Sequence, residues 1–450
     1  MGAPLEAPLK AQKAQKALKA QKALRATGVT IREATSDDAV GGVAPRWVAL
    51  PENTGEVAAL MRVSAAHDLA VVPVGDGTKL GWGNPPERCD LLIDTCCLLL
   101  GDGSAVEHSS GDLVTRVGAG LPLNVLNATL SRSRQELALD TPLGAGTVGG
   151  TLATAVAGPR RFRYGTARDL LIGITVVLAD GTIATSGGNV VKNVAGYDLG
   201  KLFTGSYGTL GVITEATFRL HPIPAARRWV TVDLPVGGPD SAGSPARDAL
   251  NGLGALNGLG ALDALVAELA ASQAEPSAVE LEWPGLTGKA TVSALVEGEA
   301  ADVRAEAVRT SMDEYGRARI TAEAPAWWSV PPGEEVLLEL RVPPAAACPA
   351  LRAVAARGLP ARVRGSVASA VLLAALPEDV GEAEFSGFVT GVRDDLRRLG
   401  GALTVLAVPP ALARGIDRWG PSGALPLMRR VKERFDPGRR MSPGRFAGGI

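Results

Sequence analysis

The run Pro73-Val-Gly-Asp-Gly-Thr-Lys-Leu-Gly-Trp-Gly83 decides how this chain is to be read, together with a second turn further along, Thr147-Val-Gly-Gly-Thr-Leu-Ala-Thr154. Glycine at 75, 77 and 81 lets the backbone take positive φ and bring bare N–H groups against an anion, where a Cβ would collide with it. Gly149 and Gly150 offer the same in the second turn. Either turn alone says little, because glycine-rich loops between strands are common. Two in order point to a dinucleotide gripped from both sides. The spacing Gly75-x-Gly77-x-x-x-Gly81 is one residue longer than the Rossmann fingerprint, and no Gly-Lys-Ser/Thr follows that would make a P-loop.

At 450 residues the chain exceeds the usual single core, so two domains are expected, and 46% hydrophobic with 21% charged residues marks an ordered globular protein. A formal net charge of −1 argues against a nucleic-acid partner. The four cysteines (Cys89, Cys96, Cys97, Cys348) make no Cys-x-x-Cys pair and read as reduced thiols of a cytoplasmic protein. The three histidines, His67, His108 and His221, are scattered, so no metal site is expected. No run reaches the ~18 apolar residues of a membrane span, and any membrane association is expected to come through a partner.

Along the chain, residues 1–30 form a basic, low-complexity tail with lysine at 10, 13, 16, 19 and 22. It lacks the apolar core of a secretory signal and reads as a frayed or disordered helix, or an overlong start. Residues 40–225 alternate short helices with β-branched runs: a helix over 56–67, strands at 70–74 and 91–94, a strand pair around 111–117, and a helix over 121–131. A hairpin follows across Ala179-Asp-Gly181, then a short helix at 199–204 with Asp198 as N-cap, and a strand over 212–220 stopped by Pro222 and Pro224. Residues 226–265, with the Asn-Gly-Leu-Gly-Ala-Leu repeat at 251–262, read as a low-complexity linker or loop. The stretch 266–410 carries strand-like segments at 278–283, 290–296, 336–342, 366–376 and 403–408, between helical ones at 261–272, 300–312, 347–357 and 384–399. That pattern predicts a mostly antiparallel sheet with helices on one face. Residues 411–450 close the chain with a helix over 427–435 and an Asp436-Pro-Gly turn that return to the first domain. The fold class is α+β.

Three further runs carry a resemblance: Gly158-Pro-Arg-Arg-Phe-Arg-Tyr-Gly-Thr-Ala-Arg-Asp169, Lys192-Asn-Val-Ala-Gly-Tyr-Asp198 and Gly205-Ser-Tyr-Gly-Thr-Leu-Gly-Val-Ile-Thr214. With them the chain resembles the vanillyl-alcohol-oxidase-type FAD-binding family, the PCMH domain, and within it the smaller flavin-binding subunits of bacterial glycolate oxidases. The likeness covers roughly residues 45–225 and the short segment from Phe435 to Arg445. It implies a two-subdomain FAD-binding domain followed by an α+β cap domain. The resemblance further implies that Pro73, Gly75, Asp76, Gly77, Thr78, Lys79 and Gly81 wrap the FAD pyrophosphate, with Thr147, Gly149 and Gly150 beside it. Arg163, Tyr164, Gly165 and Asp169 are implied near the flavin, and Gly211, Val212 and Ile213 at the adenine end.

Bland readings stand beside these. Arg160, Arg161 and Arg163 form a charge run that is either a solvated surface or a flavin- or carboxylate-binding element. Lys192 is either solvated or part of its motif, and Trp82 either shields the loop or fills core. The family pattern is also incomplete. Thr78 or Lys79 stands where some relatives carry a flavin-linking histidine, so FAD is expected to bind non-covalently. No His-x-x-Gly-Asp-Gly-Asn-x-His run follows Pro224, and Ser442-Pro-Gly replaces the common Asn-Pro-Gly. Function is accordingly expected as a flavoprotein subunit in the oxidation of a 2-hydroxy acid, with a paralogous flavoprotein subunit, which would hold the hydroxyl-oxidising site, and an iron–sulfur subunit as partners. A non-catalytic FAD-binding assembly subunit and a free-standing oxidase of another alcohol are the alternatives.

Overall fold

Short runs such as Val71-Val-Pro-Val74 and Leu91-Leu-Ile93 are apolar throughout, the pattern of strands covered on both faces. In the computed structural model, which describes residues 6–142, 146–188, 198–236, 257–286 and 288–450, they lie side by side. The first sheet runs in the order Thr30–Glu33, Trp47–Leu50, Leu91–Asp94, Val71–Val74. Its last three strands are parallel and its first is antiparallel. The crossover between the second and fourth of these is helix Thr54–His67, started by Asn53, whose side chain accepts from Glu56 N. That helix buries Val57, Leu60 and Met61 and packs on a second, five-stranded antiparallel sheet ordered Val106–Ser109, Val114–Gly118, Gly211–Arg219, Leu171–Leu178, Ile183–Gly187. One hydrophobic core joins the two sheets.

The third sheet has eight strands, all antiparallel: Arg319–Thr321, Arg227–Pro235, Lys289–Glu297, Ala278–Trp283, Arg362–Ser366, Val371–Ala375, Leu337–Arg341 and Ala402–Ala407. Period-two alternation divides its residues between two faces. Val279, Leu281, Trp283, Val363, Leu372, Leu338 and Val405 pack under helices Asn257–Ala271, Ala301–Asp313, Ala347–Ala355 and Glu382–Arg398. Glu280, Glu282, Arg364, Ser366, Leu373 and Glu339 fall on the opposite face, which meets the first domain. The chain is thus an α+β protein with a large antiparallel cap sheet.

Four sequence expectations differ from what is observed. The basic N-terminal segment is a helix, Glu6–Arg25, docked through Ala20 and Leu24 rather than frayed. Its Ala17, Ala20 and Leu24 form a narrow stripe at helical spacing that the regular lysines conceal. The stretch expected to open a linker at 226 instead begins with the nine-residue strand Arg227–Pro235, paired along its whole length with Lys289–Glu297. The single strand expected over 366–376 is a hairpin, turned at Ala370 with φ 52°. Thr30–Glu33 and Trp47–Leu50 form strands where none was read. Lys192 to Tyr197 of the Lys192 motif, and segment 237–256 with the first half of the repeat at 251–262, lie outside the described residues.

The C-terminal helix Leu425–Phe435 returns to the first domain. Lys432, buried, donates to the carbonyls of Thr209 and Met441, both at 2.7 Å, and pairs with buried Asp436 at 2.8 Å. Asp436 in turn accepts from the N–H groups of Arg440 and Met441. The last strand-like bridge, Val71 to Met441, ties this end to the edge of the first sheet, beside the glycine loop.

Candidate functional site

The two glycine turns come together. The loop after strand Val71–Val74 and the start of helix Val148–Thr154 line one recess of about 800 Å³, including the solvent at its mouth. Its walls contain Pro73, Gly75, Asp76, Gly77, Thr78, Lys79, Thr147, Gly149, Gly150, Gly211 and Ile213. Gly77 has φ +73° and nothing near the place of a Cβ, so its backbone is bare toward the recess. Thr147 caps the short helix by accepting from Gly150 N at 3.1 Å. A Cβ at Gly149 would meet the Ala119 Cβ at 2.9 Å, so this glycine is needed for packing as much as for access.

The charges in this recess suit an anion. Lys79 is buried, its Nζ donates to Thr78 Oγ1 at 3.2 Å, and no carboxylate lies within ion-pair distance of it among the described residues. Burial lowers its pKa, with nearby Asp76 opposing the shift. The Ser206 hydroxyl, also on the wall, is buried without a hydrogen-bond partner. Such a set of bare amides, an unpaired ammonium and an orphan hydroxyl fits a pyrophosphate.

Two buried arginines from the C-terminal part of the chain hold the far end of this loop. Arg445 Nη2 donates to the carbonyls of Leu80 and Trp82, at 2.9 and 2.8 Å. Arg418 Nη1 donates to those of Gly81 and Gly83, both at 2.8 Å. Burial lowers the pKa of both, that of Arg445 to about 10, which leaves Arg445 charged at neutral pH. Four successive carbonyls are therefore fixed from outside, while Leu80 N and Trp82 N donate within the loop to the carbonyls of Gly77 and Lys79.

A second recess, of about 600 Å³ with its open mouth, lies where the cap sheet meets the first domain. Trp82, at the end of the glycine loop, forms part of its wall and packs with Val156, Leu337 and Leu406. Four charged side chains face it: Arg161, Glu280, Glu339 and Arg364. Arg364 is paired with Glu282 and donates to the carbonyls of Val330 and Pro331. Glu339 is paired with Arg341 at 2.7 Å.

The three arginines of one sequence run take three different places. Arg160 is buried in an ion network with Glu136 and Asp140, each at 2.8 Å. Arg161 reaches the second recess, and Arg163 lies at the surface against Glu275. Tyr164 donates to Glu297 Oε2 at 3.1 Å and packs edge-on against His221. Gly165 holds φ +81°, and a Cβ there would meet the Asp169 Cβ at 2.7 Å. Asp169 accepts from Thr166 N and Oγ1, both at 2.8 Å, as a helix cap. Arg163, Tyr164, Gly165 and Asp169 thus lie outside the walls of both recesses, as do Gly81, whose carbonyl is held by Arg418, and Val212, whose side chain is in the core. None of the three histidines lines either recess. Among the described residues no group of three His, Cys, Asp or Glu side chains could hold a metal ion.

Sequence reasoning missed Glu280, Arg364, Arg418 and Arg445. A signal for Glu280 was present: Ala278-Val-Glu-Leu-Glu-Trp283 alternates, which puts both glutamates on one face of a strand whose other face is apolar.

Comparisons with known proteins agree with this geometry. Residues 45–187 match a family model described as an FAD binding domain. The chain is 35% identical over 185 residues to glycolate oxidase subunit GlcD of Bacillus subtilis, a match covering 41% of this chain and 38% of the relative. It is 36% identical over 192 residues to mitochondrial D-lactate dehydrogenase [cytochrome] 1 of Saccharomyces cerevisiae, covering 42% and 32%. A D-2-hydroxyglutarate dehydrogenase of Xanthomonas citri is 33% identical over 196 residues, covering 42% and 40%. The matched region therefore spans less than half the length of each of these relatives. Over its whole length the fold is similar to a crystal structure of p-cresol methylhydroxylase with substrate bound, with TM-score 0.68, 17% identity, and 96% of each chain covered.

Proposed function

We propose that the chain carries an FAD-binding domain of the PCMH, or vanillyl-alcohol-oxidase, type and is an FAD-dependent oxidoreductase subunit taking part in the oxidation of a 2-hydroxy acid, a reading supported by the FAD binding domain match over residues 45–187 and by the fold. The assembly would be glycolate oxidase-like, with a paralogous flavoprotein subunit and an iron–sulfur subunit that receives the electrons. The relatives named for glycolate, D-lactate and D-2-hydroxyglutarate support this class of substrate. The observation that carries the reading is the meeting of two glycine turns around one recess whose buried lysine has no ion pair among the described residues.

In this reading Gly75, Asp76, Gly77, Thr78 and Lys79 hold the pyrophosphate with Thr147, Gly149 and Gly150, and the backbone at Gly211 and Ile213 faces the adenine end. Arg163, Tyr164, Gly165 and Asp169 act at one remove, by fixing the segment that carries Arg161. Bound FAD supplies two-electron redox chemistry, while the chain binds it, orients it and limits access of water. The lack of histidine and cysteine among the described residues lining the first recess supports non-covalent binding of the cofactor. Acid precipitation is expected to release all the flavin, and colour retained on the denatured chain contradicts this.

The function is tested by anaerobic titration of the FAD-loaded chain with glycolate, D-lactate and D-2-hydroxyglutarate, alone and with co-purifying subunits. Loss of the oxidised flavin band with at least one acid is expected. No bleaching by any of them in either state overturns the reading.

A further inference from the structure

The recess between the cap sheet and the first domain holds two side chains of opposite charge type, Glu280 and Arg161, neither in an ion pair among the described residues. Glu280 sits in the middle strand of its trio, opposite Ser293 on one side and Ser366 on the other. It is 4% exposed, its Oε1 has no hydrogen-bond partner, and neither has the buried Ser366 Oγ. Arg161 comes from the other domain, on the short helix Arg161–Tyr164 that packs against strand Ala278–Trp283. Its Nε donates to the Gly158 carbonyl at 3.1 Å, and among the described residues no carboxylate stands within ion-pair distance of its guanidinium. Because Arg364 and Glu339 are already satisfied by Glu282 and Arg341, Arg161 and Glu280 are the charged wall groups left for a ligand.

We propose that this recess binds a small monocarboxylate bearing a neighbouring hydroxyl, its carboxylate on the Nη fork of Arg161 and its hydroxyl on Glu280 and Ser366. A guanidinium whose Nε is spent still presents two parallel N–H donors, the geometry a carboxylate takes in a bidentate pair. Glu280 sets the other end. A second carboxylate there would be buried with no cation to pair it, so a dianion is disfavoured, whereas a hydroxyl can donate to or accept from the carboxyl group. The walls between are apolar, formed by Trp82, Val156, Leu337, Leu373 and Leu406, which limits the remainder of the ligand to a small uncharged group. Burial pushes the Glu280 carboxyl up to about 8, with Arg161 and the neighbouring Ser366 hydroxyl pulling the other way and Asp140 adding to the rise. The further charges on this face, Arg364 with Glu282 and Glu339 with Arg341, neutralise each other in pairs. At neutral pH Glu280 is therefore mostly protonated and does not repel the bound anion.

This deepens the reading above by naming where the acid is held, and its test does not require turnover. The probe is 2-hydroxyisobutyrate, which has the carboxylate and hydroxyl but no hydrogen on the hydroxylated carbon to be removed. Titration calorimetry on the purified chain, with tryptophan fluorescence as a second signal and FAD content measured on the same samples, gives the affinity. Isobutyrate and malonate, lacking the hydroxyl or adding a charge, are expected to bind more weakly than the probe. Arg161→Gln is expected to weaken the probe by at least about tenfold, the loss of a charged bidentate contact. Above pH 8 the affinity of the unaltered chain is expected to fall as Glu280 ionises, while Glu280→Gln shows no such fall.

Equal binding of the probe by Arg161→Gln overturns the proposal, as does equal binding of isobutyrate and the probe. Loss of FAD from Arg161→Gln with the probe still bound also overturns it and assigns the arginine to the cofactor. Arginine-dependent probe binding by a chain that takes up no FAD leaves this site standing and removes the flavin reading, so the two fail separately.

Discussion

Gly75 and Thr147 meet across the recess so closely that a Cβ on Gly75 would overlap the Thr147 hydroxyl. The contact joins the two glycine turns into one wall and makes Gly75 a packing glycine as well as a ligand-facing one. Gly75→Val is expected to displace Thr147, uncap the helix that begins at Val148 and abolish FAD retention. Gly77→Val acts by a different route: the site is open, but its φ of +73° strains a β-branched residue, at a cost of about 1–3 kcal/mol. Flavin absorbance per purified chain checks both. Thr147→Ala combined with Gly75→Ala separates the mechanisms, since removing the Oγ1 should restore part of the flavin lost in Gly75→Ala alone. Stoichiometric flavin in Gly75→Val contradicts the assignment of the cradle.

The carbonyls of residues 80–83 are held by Arg445 and Arg418, so the shape of the loop depends on a segment hundreds of residues away in sequence. Arg445→Ala would leave the Leu80 and Trp82 carbonyls without their buried donor, at about 1–3 kcal/mol for each unsatisfied group. Arg445→Lys is expected to rescue little, because a point charge does not reproduce the guanidinium's planar array of donors. Urea unfolding of the apo chain should show the stability loss, and FAD titration a weaker affinity. An Arg445→Ala chain with unaltered FAD affinity would separate this clamp from the site.

These relations explain which features were legible. The glycine turns could be read because their role belongs to the backbone, and local spacing is enough to show it. Helix Thr54–His67 and strand Leu91–Asp94 fell near their expected bounds because their apolar pattern is local and strong. Arg161 was noticed only as one of three arginines. Its separation from Arg160 and Arg163 depends on which strand of the cap sheet packs on helix Arg161–Tyr164. Glu280 needed more still. Its alternation showed a face, but whether water or another domain covers that face is decided by tertiary packing. Strand Arg227–Pro235 was hidden because Pro222 and Pro224 before it and the glycine-rich stretch after it both signal loop, while its pairing partner lies beyond that stretch.

The Lys432–Asp436 pair is the hinge pin of the C-terminal return. Burial lowers the Lys432 pKa and Asp436 opposes the shift, so the ammonium is kept by three acceptors: two carbonyls and one carboxylate. Lys432→Met keeps the length of the side chain but leaves the buried Asp436 carboxylate without its counter-charge and two carbonyls without this donor. A loss of about 3–5 kcal/mol is expected, the usual result of removing one member of a buried pair. The double change Lys432→Met with Asp436→Asn should recover part of that loss, since no full charge then remains buried. Equal stability of the single and double variants in chemical denaturation would show that the pair does not act as a unit.

The last expectation concerns pH and Glu280. In the unfolded chain this carboxyl titrates near 4.5, and in the folded chain near 8. Between those values the folded state holds a proton that the unfolded state has released. Stability from this group is therefore fully present below about 4.5, declines as pH rises, and levels off above about 8. The slope within the window is about −1.4 kcal/mol per pH unit for one proton. Other groups titrate in the same range, so the informative quantity is the difference between the unaltered chain and Glu280→Gln. The variant binds no proton at this site in either state, and its stability curve should be flatter by that slope between pH 5 and 7.5. Parallel curves would show that Glu280 is ionised at neutral pH in the folded chain. In that case it would already meet the bound carboxylate as an anion, and the fall in ligand affinity above pH 8 would be lost with it.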